Sequence, residues 1–177
     1  MTGTKEIQTE RLLMRKYDID DSQILYEKFG SDPQMYEYSG WNPYASVDMA
    51  KETVQRFIES YEHEDFYGWA IDYEGRLIGT IGAYDYDPKT NRIEIGMSIE
   101  RASWGKGFAT EALTAVIGYL TEHEDIKVIT AWCASDNIGS VKAIEKAGMN
   151  HVSTEKNALE VGGITYDKLI YEYRGAK

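Results

Sequence analysis

The stretch Arg92 to Thr110, RIEIGMSIERASWGKGFAT, changes its hydrophobic period once, and that change constrains the fold more than any other feature of the chain. Ile93, Ile95, Met97 and Ile99 alternate with Glu94, Gly96, Ser98 and Glu100, a period of two that predicts a strand with one apolar face. From Ala109 onward the apolar residues Ala112, Leu113, Val116, Ile117 and Leu120 recur at helical spacing and predict a helix lying on a sheet. Between them stands Trp104-Gly105-Lys106-Gly107. Glycines there permit positive φ and close approach to the backbone, and the first amides of the helix have no internal acceptor. A helix start of this kind is an anion site that suits a pyrophosphate.

Trp104-Gly105-Lys106-Gly107-Phe108-Ala109 resembles the acetyl-CoA signature [QR]-x-x-G-x-[GA] of the GNAT N-acetyltransferases, and Thr110-Glu111-Ala112-Leu113 continues as in their ribosomal-protein N-terminal acetyltransferase branch, the RimJ/RimL-like proteins. Trp104 departs from the pattern, standing where the signature has Gln or Arg. A second match lies at Asn137 to Met149, with Asn137, Ser140 and a Lys-x-Gly run that ends before a strand. A third is Thr9-Glu10-Arg11-Leu12, similar to the first strand of that branch and read as architectural.

Read in order, Ile7 to Lys16 predicts an opening strand, followed by a helix carrying Ile24, Leu25 and Phe29 and by a second helix that Ser46 can cap. Trp69–Tyr73 and Leu77–Tyr84 flank a short glycine turn and predict an antiparallel hairpin. Lys127 to Cys133 is an apolar strand that crossover handedness places parallel to Arg92–Ile99. Val152–Glu155 and Ile164–Tyr173 predict a closing hairpin about Gly162-Gly163. At 177 residues the expected organisation is one α/β domain over 1–177. The resemblance implies the GNAT fold, a twisted mixed sheet of six or seven strands with about four helices, splayed between Arg92–Ile99 and Lys127–Cys133, with coenzyme A in the gap.

Acetyl transfer from a thioester to an amine needs a base, a donor to the carbonyl, and orientation. Glu94 is the first candidate base, because it matches the position where many GNAT members carry a catalytic Glu; the competing reading pairs it with Arg92 or another cation. Glu100 is a weaker candidate. The resemblance puts the carbonyl donor at the backbone near Met97, and coenzyme A against Met97, Ile99, Trp104, Gly105, Lys106, Gly107, Phe108, Ala109, Thr110, Asn137 and Ser140. Ile144 replaces the Tyr acid of the family, so Ser140 becomes the candidate donor to the thiolate or a contact of the pantetheine arm. Asn137 reads as a helix cap or as a hydrogen-bonding partner of the pantetheine, and the resemblance favours the second.

The loop from Gln34 to Tyr44 carries Tyr36, Tyr38, Trp41 and Tyr44, which read as a plug for the sheet edge, as an acceptor-pocket wall formed by Tyr36, Tyr38 and Trp41, or as a homodimer contact. A net charge of −11 opposes nucleic-acid binding and favours a cationic amine acceptor. It also requires a local positive site for coenzyme A, for which Lys106 and Arg101 are candidates. His63, His123 and His151 have no ligand spacing, so no metal is expected. No apolar run is long enough to span a bilayer, and the amino terminus lacks the apolar core of a secretory signal, so a cytoplasmic protein is expected. The single Cys133 reads as buried filler rather than a nucleophile. The expected function is N-acetyl transfer from acetyl-CoA to a primary amine, with a non-catalytic coenzyme A sensor or interaction module as the alternative.

Overall fold

The computed structural model describes residues 1–175. Eight strands form one sheet in the order β1-β2-β3-β4-β5-β6-β8-β7, against the six or seven expected. They are β1 (Ile7–Gln8), β2 (Leu12–Arg15), β3 (Tyr67–Tyr73), β4 (Arg76–Asp87), β5 (Arg92–Ile99), β6 (Val128–Ala134), β7 (Asn150–Val161) and β8 (Ile164–Arg174). The extra strand arises because Ile7 to Lys16 is not one strand but a hairpin. Thr9 closes it: its hydroxyl accepts from the Leu12 amide at 2.9 Å, while Glu111 accepts from the Thr9 hydroxyl at 2.7 Å and from the Arg11 amide at 2.9 Å. The Thr-Glu-Arg run is therefore a turn pinned from a distant helix, which no local periodicity could show.

All neighbouring strands are antiparallel except β5 and β6. That pair is in register only at Arg92–Val128, Ile93–Ile129 and Glu94–Thr130, after which the strands part. The sheet thus opens into a gap bordered by Ile95–Ile99 and Ala131–Ala134.

Four α-helices flank the sheet: α1 (Asp21–Leu25), which runs on as a π-helical turn Tyr26–Gly30, α2 (Val47–Ser60), α3 (Phe108–Glu122) and α4 (Ile138–Lys146). The Ser46 hydroxyl accepts from the Met49 amide at 3.1 Å and starts α2. Ala112, Leu113, Val116, Ile117 and Leu120 of α3 bury against Trp69, Ile71, Ile93 and Ile95, forming the larger core. Each of the buried Leu, Val and Ile side chains is worth roughly 1.5–3 kcal/mol relative to exposure. On the opposite face α1 and α2 cover only the amino-terminal strands, with Leu25, Phe29, Ala50 and Val54 against Ala70 and Leu77. The same face of β5, β6 and β8 has no helix in that cluster. Strand β7, at the sheet edge, is mostly exposed on both faces, so its sequence shows little alternation and its full length was not legible.

Glu124, 8% exposed, ties the amino-terminal segment to the end of α3. It accepts from the Thr2 amide at 2.8 Å, Tyr67 Oη at 2.9 Å and Tyr119 Oη at 3.1 Å, and also from the Thr2 hydroxyl. Burial pushes its carboxyl up, but the donors from Thr2, Tyr67 and Tyr119 outweigh burial and hold it below the usual carboxylate range. A depressed native pKa gives stability that is complete above the unfolded value of about 4.3 and is lost as pH falls through the native value. Glu124→Ala strands several buried donors and is expected to cost on the order of 3 kcal/mol at neutral pH. Thermal melts of the two proteins should differ by roughly 10 °C at neutral pH and converge below pH 4; equal melting temperatures at neutral pH would show that the network contributes nothing.

Candidate active site

The glycine loop follows β5 through a 3-10 turn, Arg101–Ser103. Gly105 and Gly107 both occupy the left-handed region, at φ 74° and 81°, which turns the chain abruptly into α3. The first helical bond runs from the Glu111 amide to the Gly107 carbonyl at 3.1 Å. The amides of Gly105 to Thr110 donate to no protein group among the described residues. They form a concave set of donors at the positive end of a 15-residue helix, a fit for a pyrophosphate.

Phe108 is buried and anchors the helix start, whereas Ala109 and Thr110 are half-buried and Lys106 is exposed. Arg11 frames the loop: its Nη1 donates to the Lys106 carbonyl at 2.9 Å, its Nε to Glu111 at 2.7 Å, and its guanidinium lies 4.5 Å over the Phe108 ring. Arg11 is thus a cation at the cradle that sequence reasoning assigned to architecture alone. Arg101, expected there, points elsewhere, because Asp32 holds it at 2.8 Å. Trp104 is 49% exposed and donates Nε1 to the Ile99 carbonyl at 2.6 Å, so the residue that departs from the signature folds back on the end of β5. Met97 and Ile99 border the gap, with the Ile99 carbonyl already engaged.

Glu94 lies on the face of β5 away from α3, at the last position paired with β6. No cation pairs with it among the described residues; Arg92 instead binds Glu172 at 2.7 Å. Its partner is Trp132 on β6, whose Nε1 donates to Glu94 Oε1 at 3.1 Å. Tyr84 stands directly across from Glu94 on β4. Its hydroxyl would lie 2.5 Å from a β-carbon at position 96, so Gly96 is what admits the ring. Burial, then the Glu94 charge, pushes the Tyr84 hydroxyl above the ordinary tyrosine range and keeps it protonated. Tyr84 was missed in the sequence because the register that joins it to Glu94 includes a bulge between Tyr84 and Asp87, and Trp132 because it lies on β6, which meets Glu94 only through the parallel pairing. Glu100, the weaker candidate base, is 1% exposed and is held by Arg76 at 2.7 Å and Ser103 at 2.8 Å, which makes it structural.

At the far side of the gap Asn137 Oδ1 accepts from the Ser140 amide at 3.3 Å, so Asn137 caps α4. The Ser140 hydroxyl forms no hydrogen bond among the described residues, and Ile144 is buried. The loop aromatics divide. Tyr38 packs edge-on against Tyr166 with centroids 5.3 Å apart and donates to the Asp136 carbonyl at 3.4 Å, Tyr36 is half-buried, and Trp41 is 71% exposed. With Asp32 on Arg101 just past β5 and Tyr38 on Asp136 just past β6, the segment from Asp32 to Tyr38 bridges the turns that follow the two strands bordering the gap.

Cys133 faces α4, 5% exposed, and burial followed by the Glu145 charge pushes its thiol up to about 11. A thiol so seldom ionised makes a poor nucleophile at neutral pH. Cys133→Ala is expected to leave turnover within about twofold of the parent; an acetylated Cys133 trapped during turnover would overturn that expectation.

No cluster of His, Cys, Asp and Glu suited to a metal occurs among the described residues, and no helix described is long and apolar enough to cross a membrane. Residues 11–150 match the acetyltransferase (GNAT) domain family. The chain is 31% identical over 153 residues to the uncharacterized N-acetyltransferase p20 of Bacillus licheniformis, covering 85% of this chain and 83% of that one. Its fold is similar to that of a probable acetyltransferase, with a TM-score of 0.87 at 23% identity over 96% and 97% of the two chains. It is also similar to RimL, the ribosomal L7/L12 alpha-N-protein acetyltransferase solved in complex with coenzyme A, with a TM-score of 0.85 at 19% identity over 96% and 98%. The family match over residues 11–150 and the 31% identity to p20 together show that the chain belongs to the GNAT family and is an N-acetyltransferase.

Proposed function

We propose that the protein transfers the acetyl group of acetyl-CoA to the primary amine of a peptide or protein N-terminus, or of a small amine such as a polyamine, with Glu94 as the base. The observation that carries this reading is the Glu94 carboxylate on the gap-forming strand, held by the neutral indole of Trp132 at 3.1 Å and left without a cation. A carboxylate held by one neutral donor keeps further lone pairs with which to accept from an amine or a water. In the proposed reaction the amine nitrogen attacks the thioester carbonyl, its proton passes to Glu94 directly or through water, and the carbon–sulfur bond breaks to release the thiolate. The amide of Met97 is assigned to the carbonyl oxygen, and the amides of 105 to 110, with Lys106 and Arg11, to the pyrophosphate. Asn137 and Ser140 are assigned to the pantetheine arm.

Similarity to the ribosomal-protein acetyltransferase RimL supports the peptide acceptor, and the acidic surface supports attraction of a protonated amine. A cytoplasmic site of action belongs to the same reading, since acetyl-CoA is a metabolite of that compartment. The test is release of coenzyme A thiol across a panel of peptides, polyamines, amino acids and aminoglycosides. Saturable release with at least one amine is expected, and Trp41→Ala is expected to raise that amine's KM without altering acetyl-CoA affinity. Binding of acetyl-CoA with no amine-dependent release across the panel would overturn the proposal.

A further inference from the structure

Strand parity collects one set of side chains on the face that α1 and α2 leave uncovered. Glu94 is in register with Thr130, Trp132 with Ile170, and Ala134 with Lys168, so Glu94, Trp132 and Lys168 share that face. Tyr166, two residues before Lys168, closes the row against Tyr38 of the bridging loop. The Lys168 ammonium lies 4.9 Å from the centroid of the Trp132 ring, and the same indole donates to Glu94. A cation therefore stands one side chain away from the candidate base.

This cation is unusual for its surroundings. The chain carries 30 acidic residues against 19 Lys and Arg, yet no carboxylate lies within ion-pairing distance of Lys168 among the described residues. The nearby acids are engaged elsewhere: Asp167 binds Lys156 at 2.8 Å, and Glu172 binds Arg92 and Arg174, each at 2.7 Å. Glu155, its cross-strand neighbour, forms no ion pair with it. Lys168 is also half-buried. Cation–π contact with Trp132 offsets part of that desolvation but leaves the ammonium protons free to donate.

We infer that Lys168 selects an acceptor carrying a carboxylate close to its reactive amine, with the carboxylate on the ammonium and the amine at Glu94. This rests on the acetyl-transfer reading of the site and narrows its acceptor: polyamines are excluded, and α-amino acids and peptides with an acidic residue at the first or second position remain. Both sources present the same chemistry. The overall negative charge then draws in the amine, and Lys168 sets which amine is held.

The experiment measures calorimetric binding to the protein saturated with coenzyme A, and turnover with acetyl-CoA in parallel. The probes are matched pairs: amino acids against their α-carboxamides, and peptides beginning with Asp or Glu against those beginning with Asn or Gln. The parent is expected to favour the carboxylate member of one set by about tenfold or more, and the set that shows this identifies the source. Lys168→Met keeps the stem over Trp132 and is expected to erase the preference to within about twofold, whereas Lys168→Arg keeps most of it. Acetyl-CoA affinity should not change in either variant. Equal affinity for both members in the parent, a preference that survives Lys168→Met, or tighter binding of spermidine than of any carboxylate probe would each overturn the assignment. A calorimetric preference lost in Lys168→Met but accompanied by no turnover would uphold the assignment and sink the transfer reading instead.

Discussion

Replacing Glu94 by Gln is expected to lower kcat by roughly 100-fold or more near neutral pH while acetyl-CoA binds as before. The amide preserves the length of the side chain, and its oxygen can still accept from Trp132 Nε1, which lies 3.1 Å from Glu94 Oε1 in the parent. Strand β5 should keep its register with β4 and β6, because the position is not an ion-pair partner whose loss would strand a buried charge. What disappears is the capacity to take the proton of the attacking amine. The effect should diminish at high pH, where a larger share of the acceptor is already deprotonated, so a pH–rate profile separates loss of a base from loss of shape. Turnover at the parent rate across the whole profile would make Glu94 structural and place the base elsewhere.

The second large effect is expected at Gly107. Gly107→Glu should weaken acetyl-CoA binding by at least about 100-fold, or roughly 2.7 kcal/mol. The backbone at φ 81° disfavours any β-carbon, at a cost of about 1–2 kcal/mol. The added carboxylate would also stand among free amides at a helix N-terminus and close to Arg11, whose Nη2 lies 3.4 Å from the β-carbon position. It would satisfy the very donors assigned to the pyrophosphate and repel that group as a like charge. Gly107→Ala introduces the strain without the charge and should lose much less affinity, so the pair of variants separates backbone strain from charge. Calorimetry with acetyl-CoA, on proteins whose circular dichroism matches the parent, reads both. Unchanged affinity in a folded Gly107→Glu protein would remove the pyrophosphate from this loop.

The cradle was legible because everything that makes it is contiguous. The alternation in Arg92–Ile99, the glycines at 105 and 107 and the apolar stripe of α3 are local patterns, and local patterns survive in a linear string. The parallel placement of β5 and β6 followed from the handedness of a strand–helix–strand crossover, which acts on any chain with that order of elements. The opening hairpin was not legible, since the turn at Thr9 to Arg11 depends on Glu111 in α3. The role of Arg101 was misread for a similar reason. Its sequence position is close to the glycine loop, but Asp32 captures the guanidinium from the other side.

What the chain determined alone is the succession of strand, glycine loop and helix, and with it the free amides at the start of α3 and the position of Glu94 on the face opposite the larger core. Tertiary structure decided what surrounds Glu94. Tyr84 reaches it through an antiparallel register set by a bulge, Trp132 through the last rung before two parallel strands part, and Lys168 through the next strand over. Each of those pairings depends on which residues of separate strands fall opposite one another, and a one-residue slip would send each side chain to the other face. Register there is fixed by the apolar side chains that β5, β6 and β8 bury with α3 and α4 on the other face, a property of the whole assembled core that no short stretch of sequence carries.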